Sequence, residues 1–512
     1  MMNTTMKPFN RIVIAGGGTA GWMMAALMGK LLGKRLDIKL VESEEIGTVG
    51  VGEATIPALL TFHNLLGINE AEFMATTQAT FKLGINFEGW KDIGQDYFHS
   101  FGTTGTDHWS AGFQQFWMKG RREGIAEDYK AYNPETIAAF AGKFGHLPRN
   151  GLNYAYHLEA SRYAKYLRAM SEAHGVKRIE GKIAAVLQDG PVGKAGDITA
   201  LQMQDGSRIE GDLFIDCTGF RSLLLGETLG VGYEDWSHWL PCDSAVAVQT
   251  ASVREPWPYT RAIAHPFGWQ WRIPLQSRVG NGLVYSSKEL SDADAPEVLK
   301  KNVEGELLTQ PRILKFTPGQ RHKTWVRNCI AVGLASGFIE PLESTSIHLI
   351  QRAAIRLMQI FPAGGISPAD VEEFNLQSQR ELEHIRDFIV LHYHVNERKD
   401  SKLWQHVREM AVPATLRHRI ELFRESARVF RPSDELFAEN SWIQVMMGQG
   451  ITPQSHHPVA DLMGRAELTH FLGDIQLKVE RTVGQLPTHG EYLGHYCAAP
   501  QQQAQAAVKM GS

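Results

Sequence analysis

A strand that ends in three glycines and opens straight into a helix leaves a chain few choices of fold. Arg11-Ile12-Val13-Ile14-Ala15 is a short β-branched run, the composition of a parallel strand buried on both faces. Gly16-Gly17-Gly18-Thr19-Ala20-Gly21 follows, then helix-forming residues 22–32, with Gly33 where that helix should stop. Residues 36–42 read as a second strand ending in an acid. Gly16, Gly18 and Gly21 fit G-x-G-x-x-G: the first allows the tight turn, the second lets the backbone approach a pyrophosphate, and the third lets helix and strand pack closely. The first amides of the helix and its dipole favour an anion. Glu42, followed by Ser43, stands where an acid can bind a ribose diol. Strand, turn, helix, strand and acid within roughly thirty residues predict a dinucleotide site built on Gly16, Gly18, Thr19, Ala20, Gly21, Glu42 and Ser43.

Composition narrows the class. Of 512 residues, 43% are hydrophobic and 21% charged, which is ordinary globular usage. Lys+Arg is 52 against Asp+Glu 56, so the net charge of -4 offers no basic excess for nucleic acid or anionic lipid. The four cysteines, Cys217, Cys242, Cys329 and Cys497, form no CxxC pair, and free thiols without a metal site are expected. No secretory signal precedes the first strand and no run is long enough to span a membrane, so a cytoplasmic protein is expected.

The rest of the chain divides by pattern into residues 1–90, the start of the nucleotide-binding module; 91–150, a loop-rich insertion covering a site; 151–350, the rest of that module with an antiparallel sheet; and 351–512, a helical C-terminal part that binds substrate. Helices are predicted over residues 57–66, 70–79, 157–174, 346–361 and 371–393. Strands are predicted over 176–179, 183–187, 198–204 and 213–216, with a hairpin turn at Asp205-Gly206, and an antiparallel sheet over 245–330. A frayed tail is expected over 501–508. Two further strand–glycine turns, ending in Cys217-Thr218-Gly219 and Gly333-Leu334-Ala335-Ser336-Gly337, suggest several backbone approaches to one extended cofactor. FAD, with its flat three-ring head, needs more of these than NAD.

Four segments together resemble a known family: GGGTAGW at residues 16–22, GVGEATIP at 50–57, Trp269-Gln270-Trp271-Arg272-Ile273-Pro274, which fits WxWxIP, and Glu340-Pro341-Leu342-Glu343-Ser344-Thr345-Ser346. The chain is similar to the flavin-dependent tryptophan halogenases from residue 11 to about 360, and the likeness fades beyond. The resemblance implies an FAD-binding, Rossmann-like α/β body of the flavin monooxygenase type with an antiparallel sheet and a mainly helical C-terminal part. It implies that reduced FAD, supplied by a separate flavin reductase, and dioxygen oxidise chloride or bromide to hypohalous acid. That acid travels to a separate pocket and halogenates an electron-rich aromatic ring. Ala54, Ile183, Trp269, Leu334 and Ile347 join the expected cofactor contacts, and a homodimer is carried from the family.

The family's essential lysine maps to Lys82. Flanked by Phe81 and Leu83, this amine should be desolvated and its pKa lowered, so that it can hydrogen-bond hypohalous acid or form a haloamine. The second catalytic acid maps to Glu343, which would stabilise the ring cation and take the ring proton as a general base. The same helix start would offer the amides of Thr345 and Ser346 to a halide, although better-known members carry glycine at position 346. Trp269 and Trp271 lie on one sheet face by period two and would wall off the flavin. His99 and Phe101 match a segment that sandwiches the substrate ring. Residues 419–440 lack the tyrosine pair with which tryptophan halogenases grip the amino-acid backbone, so free indole or a related arene is the expected substrate. Two alternatives stay open here: a tryptophan halogenase proper, and an aromatic hydroxylase, although Gly333-Leu334-Ala335-Ser336 lacks the Gly-Asp such hydroxylases usually carry.

Overall fold

The computed structural model describes residues 9–45, 52–149, 151–190 and 196–500; Gly50 and Val51 of the second motif and the Gln/Ala-rich tail lie outside them. The expected first unit forms. Six strands order as Trp325–Val326, Cys329–Ala331, Leu213–Asp216, Arg11–Ala15, Asp37–Glu42 and Lys177–Glu180. All pair in parallel except Trp325–Val326 at one edge. Beyond Arg11 the first strand is apolar at every position because both its faces are covered. Ile12 and Ile14 point into the helical core with Trp22, Met23 and Leu27. Val13 and Ala15 point the other way, onto Ile198 and Leu201 of a small three-stranded sheet. The helix Thr19–Leu32 packs between Ala160–Ala173 and Ser346–Gln359, which is why every residue from Gly21 to Gly29 is buried.

A seven-stranded sheet forms the second layer, in the order Arg312–Lys315, Ser244–Ala251, Arg278–Tyr285, Gly268–Pro274, Thr260–His265, Gly84–Asp92 and Gln95–Ser100. The expectation of an antiparallel sheet over 245–330 needs three corrections, the first being that Gly319–Arg321 pairs in a small separate sheet with Tyr233–Asp235 and Gly337–Phe338. Thr260–His265 runs parallel to Gly84–Asp92, which a long crossover permits. Trp325–Val326 and Cys329–Ala331 join the first sheet instead. The expected 91–150 loops contain Gln95–Ser100 and the short helices Phe113–Arg122 and Pro134–Phe140.

A third, three-stranded sheet carries the key lysine: Gly52–Ala54, Ala155–Glu159 and Thr80–Lys82. It also corrects the helix predicted over 157–174. Residues 155–159 pair on both sides, Ala54 with His157 and Lys82 with Ala155, so the helix begins at Ala160, where the Glu159 carboxylate accepts from the Ser161 amide. The C-terminal part is helical as expected. In Pro368–His394 the buried positions Phe374, Ser378, Leu382, Ile385, Ile389 and His392 recur every three or four residues; Phe374 packs in the core beneath the first sheet, and Leu382, Ile385 and Ile389 in a second core. Among the described residues no helix is long and apolar enough to cross a membrane.

The helix His489–Tyr496, opened by a capping box between Thr488 and Glu491, returns to brace the lysine strand. His489 Nε2 accepts from the Phe81 amide at 3.2 Å, and its Nδ1 lies 2.8 Å from the Pro256 carbonyl. With Nε2 accepting, Nδ1 must carry the proton, so the ring is neutral; burial drops its pKa to about 4. Tyr154, Tyr156 and Tyr496 all donate to the Glu70 carboxylate beneath it, and Phe81 stacks on Phe144 at 3.9 Å. Replacing His489 with alanine strands two buried backbone groups, each costing about 1–3 kcal/mol. His489→Ala is therefore expected to lower the urea midpoint by the equivalent of about 2–4 kcal/mol, read by equilibrium unfolding.

Candidate active site

The parallel strands end in a common crevice. Gly16 sits at φ 109°, and a side chain there would strike the Cys217 carbonyl. A Cβ on Gly21 would lie 1.9 Å from the Gly16 carbonyl, so helix and turn touch directly. Gly18, by contrast, has nothing within 4 Å of a Cβ, an open approach for a ligand at the helix start. Cys217 is half-buried here, unlike the other three free cysteines, because it follows a strand into the crevice. Leu334 is 38% exposed and Phe220 43%, which leaves apolar surface beside Gly219 and Gly333. A long flat dinucleotide fits this combination of open amides, exposed apolar rim and terminal acid. Glu42 lies at the rim, its carboxylate 2.5 Å from Arg178 Nε and within 3.3 Å of the Trp22 indole N–H. Ser43 is half-buried next to it, and Ile183 opens the neighbouring sheet just past Gly181, whose amide donates to the Glu42 carbonyl. Ala54 packs at the lysine sheet, while Ile347 and Trp269 are 2% and 1% exposed in the two cores.

Lys82 is fully buried. Its Nζ donates to the Thr55 carbonyl at 3.0 Å and to Ser344 Oγ at 2.9 Å, and lies 5.1 Å from the centre of the Phe101 ring. Burial pulls the amine down to about 7, against the opposing pull of Glu343. Its strand is held on both sides of the lysine, by His489 at Phe81 and by the Pro258 carbonyl accepting from the Leu83 amide. Ser344 reaches Lys82 because its backbone is left-handed, at φ 59°, a strained setting for a non-glycine residue. The sequence motif names Ser344, but its role as the lysine's anchor depends on that backbone.

Glu343 is fully buried in the turn Pro341–Glu343. Burial alone would raise its pKa; His99 and His392 outweigh that and hold it at about 2. His99 Nδ1 lies 2.9 Å from both carboxylate oxygens. His392 Nε2 lies 2.9 Å from Oε1, and its Nδ1 is 2.6 Å from the Tyr97 hydroxyl. His392 is absent from the sequence-based site; the signal was a histidine on the apolar stripe of a long helix, which reads equally well as core. The next helix, Ser346–Gln359, starts at the expected Ser346, with Thr345 as its cap. The Thr345 side chain makes no capping bond, and the first amides of any helix lack intrahelical partners.

Trp269 and Trp271 lie side by side, ring centres 6.1 Å apart, on one face of the second sheet as period two requires. Trp269 donates to Glu340 Oε2 at 2.6 Å, and Tyr393 donates to the same oxygen at 2.8 Å. Burial pushes Glu340 up to about 7 despite these two donors. In residues 419–440 the acid that could grip an ammonium is already engaged: Glu435 takes both Arg419 nitrogens and the Trp442 indole N–H. Arg419 lies flat over Trp442 at 4.0 Å, and Phe437 stacks on Phe388 at 3.8 Å.

The chain is similar to known proteins along most of its length. Residues 11–465 match the model of the tryptophan halogenase family. A tryptophan 6-halogenase from Streptomyces toxytricini is 34% identical, over 94% of this chain and 98% of its own. Among solved structures, Xcc4156, a flavin-dependent halogenase from Xanthomonas campestris, superimposes with a TM-score of 0.94 at 60% identity, covering 96% of this chain and 99% of its own. BrvH, a flavin-dependent halogenase from Brevundimonas sp. BAL3, does so with a TM-score of 0.91 at 42% identity over the same shares. With the glycine crevice, the buried lysine and the paired glutamate in place, the chain belongs to the flavin-dependent tryptophan halogenase family.

Proposed function

We propose that this chain halogenates free indole or a related electron-rich arene, with Lys82 presenting the halogen and Glu343 balancing the charge that develops on the ring. The burial of Lys82 beside the Glu343–Ser344 junction carries the reading: an amine held near neutrality, away from water, is suited to an electrophilic halogen. FAD would lie along Gly16, Gly18, Thr19, Ala20, Gly21 and Glu42, with Leu334 on its path. Bound in reduced form, it supplies with dioxygen the oxidation of chloride or bromide to hypohalous acid. A separate flavin reductase provides the reduced cofactor, and the amides of Thr345 and Ser346 hold the halide. As an ammonium, Lys82 hydrogen-bonds the oxygen of hypohalous acid; as a free amine, its lone pair takes the halogen and water leaves. The Glu343 anion faces the cation formed when the ring is attacked, while His99 and Phe101 flank the arene. Trp269 and Trp271 separate the two compartments. A cytoplasmic homodimer completes the proposal.

The substrate choice rests on residues 419–440. Glu435 is paired internally and no tyrosine pair stands there, so a free amino acid finds no grip for its ammonium group. Halogenation of free tryptophan is the second reading, favoured by the Streptomyces relative. Indole is expected to show the higher kcat/KM of the two, measured with FAD, a flavin reductase, NADH and chloride or bromide; a markedly higher value for tryptophan selects the second reading.

Lys82→Ala is expected to cut arene halogenation at least about 100-fold while hypohalous acid still forms, read by product mass spectrometry beside a chemical trap for free hypohalite. The buried amine also gives a stability signature. Its folded pKa of about 7 lies below the 10.5 of a free lysine, so the unfolded chain binds more protons between those values and stability rises with pH across that window. Lys82→Met should therefore stabilise the fold by about 1–3 kcal/mol at pH 6, where the burial cost is fully present, and by less at pH 9. Urea midpoints at the two pH values measure it.

A further inference from the structure

Glu343 is gripped by two histidines that differ in one respect. His392 has both ring nitrogens against polar groups: Nε2 lies 2.9 Å from the carboxylate, a close contact without hydrogen-bond geometry, and Nδ1 lies 2.6 Å from the Tyr97 hydroxyl. Tyr97 itself accepts from Gln449 Nε2 at 3.3 Å, which leaves the phenol hydrogen free to go to His392. Burial lowers the basicity of His392, the carboxylate only partly restoring it. His99 spends only one nitrogen. Its Nδ1 sits 2.9 Å from both oxygens of Glu343, whereas its Nε2 is buried and has no partner.

A carboxylate accepts only, so in the neutral ring Nδ1 carries the hydrogen and Nε2 keeps its lone pair. An unpartnered buried nitrogen costs about 1–3 kcal/mol and calls for a functional explanation. The surroundings point to the arene. The ring of His99 sits against Phe388 and Phe437, centres 5.5 and 6.2 Å away. On the far side of Glu343, Ser344 holds Lys82 above Phe101. Imidazole, carboxylate and amine thus share one buried site. A carboxylate behind an imidazole fixes its tautomer and steadies the cation once the outer nitrogen is protonated. Glu343, by contrast, already has its oxygens against the nitrogens of two imidazoles.

We propose that His99 is a catalytic base whose Nε2 takes the proton lost from the halogenated ring, with Glu343 as the carboxylate that orients it. The proposal rests on the halogenation reading above and gives the ring proton to His99, where the family resemblance gave it to Glu343. The bond from ring carbon to halogen forms with a ring π pair. The halogen's bond to the oxygen of hypohalous acid, or to Lys82 Nζ, breaks, and that pair stays on oxygen or nitrogen. The ring cation then loses its proton to Nε2, the C–H pair restores aromaticity, and the imidazolium returns the proton to the displaced hydroxide or amine. The sum is arene plus hypohalous acid giving haloarene plus water.

The test is an isotope competition with the full chain, FAD, a flavin reductase, NADH and bromide, acting on an equal mixture of indole and ring-deuterated indole. In the wild type, attack on the ring commits the substrate, so light and heavy bromoindole form in a ratio near unity. His99→Gln and His99→Phe should lower product formation about 100-fold and raise that ratio to about 2 or more as proton loss becomes limiting, with trapped hypobromous acid unchanged. A ratio near unity in both variants overturns the proposal. So does complete loss of product in both, which would mark His99 as a residue that holds the arene. No brominated product from the wild type with indole or tryptophan would instead overturn the halogenation reading itself, and this proposal with it.

Discussion

The structure depends on keeping one cation away from water. Lys82 donates to a carbonyl and a hydroxyl but touches no carboxylate directly, so its charge is only loosely compensated. Desolvation wins, and the amine moves towards the neutral form. Holding it there needs a rigid strand, and the neighbourhood supplies one: stacked aromatics on the Phe81 side, and backbone donors fixed on each side of the lysine. The left-handed Ser344 belongs to the same arrangement, a strained residue retained because its hydroxyl meets Nζ.

Around that amine, two acids of one short motif are driven in opposite directions. Glu343 meets two imidazoles and stays ionised; Glu340 meets an indole and a phenol, which do not outweigh its burial, and it rises to about 7. Residues of the same type, separated by Pro341 and Leu342, become a fixed anion and a nearly neutral acid because of what each faces. The anion lies towards Lys82, and the nearly neutral acid anchors Trp269. This keeps full negative charge at the end of the motif where ring cations would form.

The glycine crevice was readable from sequence because its constraints are local. Gly16 and Gly21 are needed where a side chain would hit the Cys217 or Gly16 carbonyl, and such demands leave a spaced signature. The apolar strand and the two later glycine turns were readable for the same reason. Lys82 and Glu343 were placed by resemblance, since nothing local distinguishes a buried lysine between Phe81 and Leu83 from one that snorkels to the surface. His392 was beyond reach because its partner lies on a turn far away in sequence, and only tertiary packing shows which face of its helix meets Glu343. The helix predicted from residue 157 failed at its start because helix-forming residues were drawn into pairing with Gly52–Ala54 and Thr80–Lys82, a contact that propensity cannot register.

The brace at His489 has a consequence for how the molecule matures. The strand bearing Lys82 is made well before the imidazole that receives the Phe81 amide, which lies 408 residues further along. Until then that edge lacks its final donor–acceptor closure, and the amine next to it is not yet locked in its dry setting. The dry setting of the Lys82 amine is thereby tied to a contact between segments about 400 residues apart in sequence.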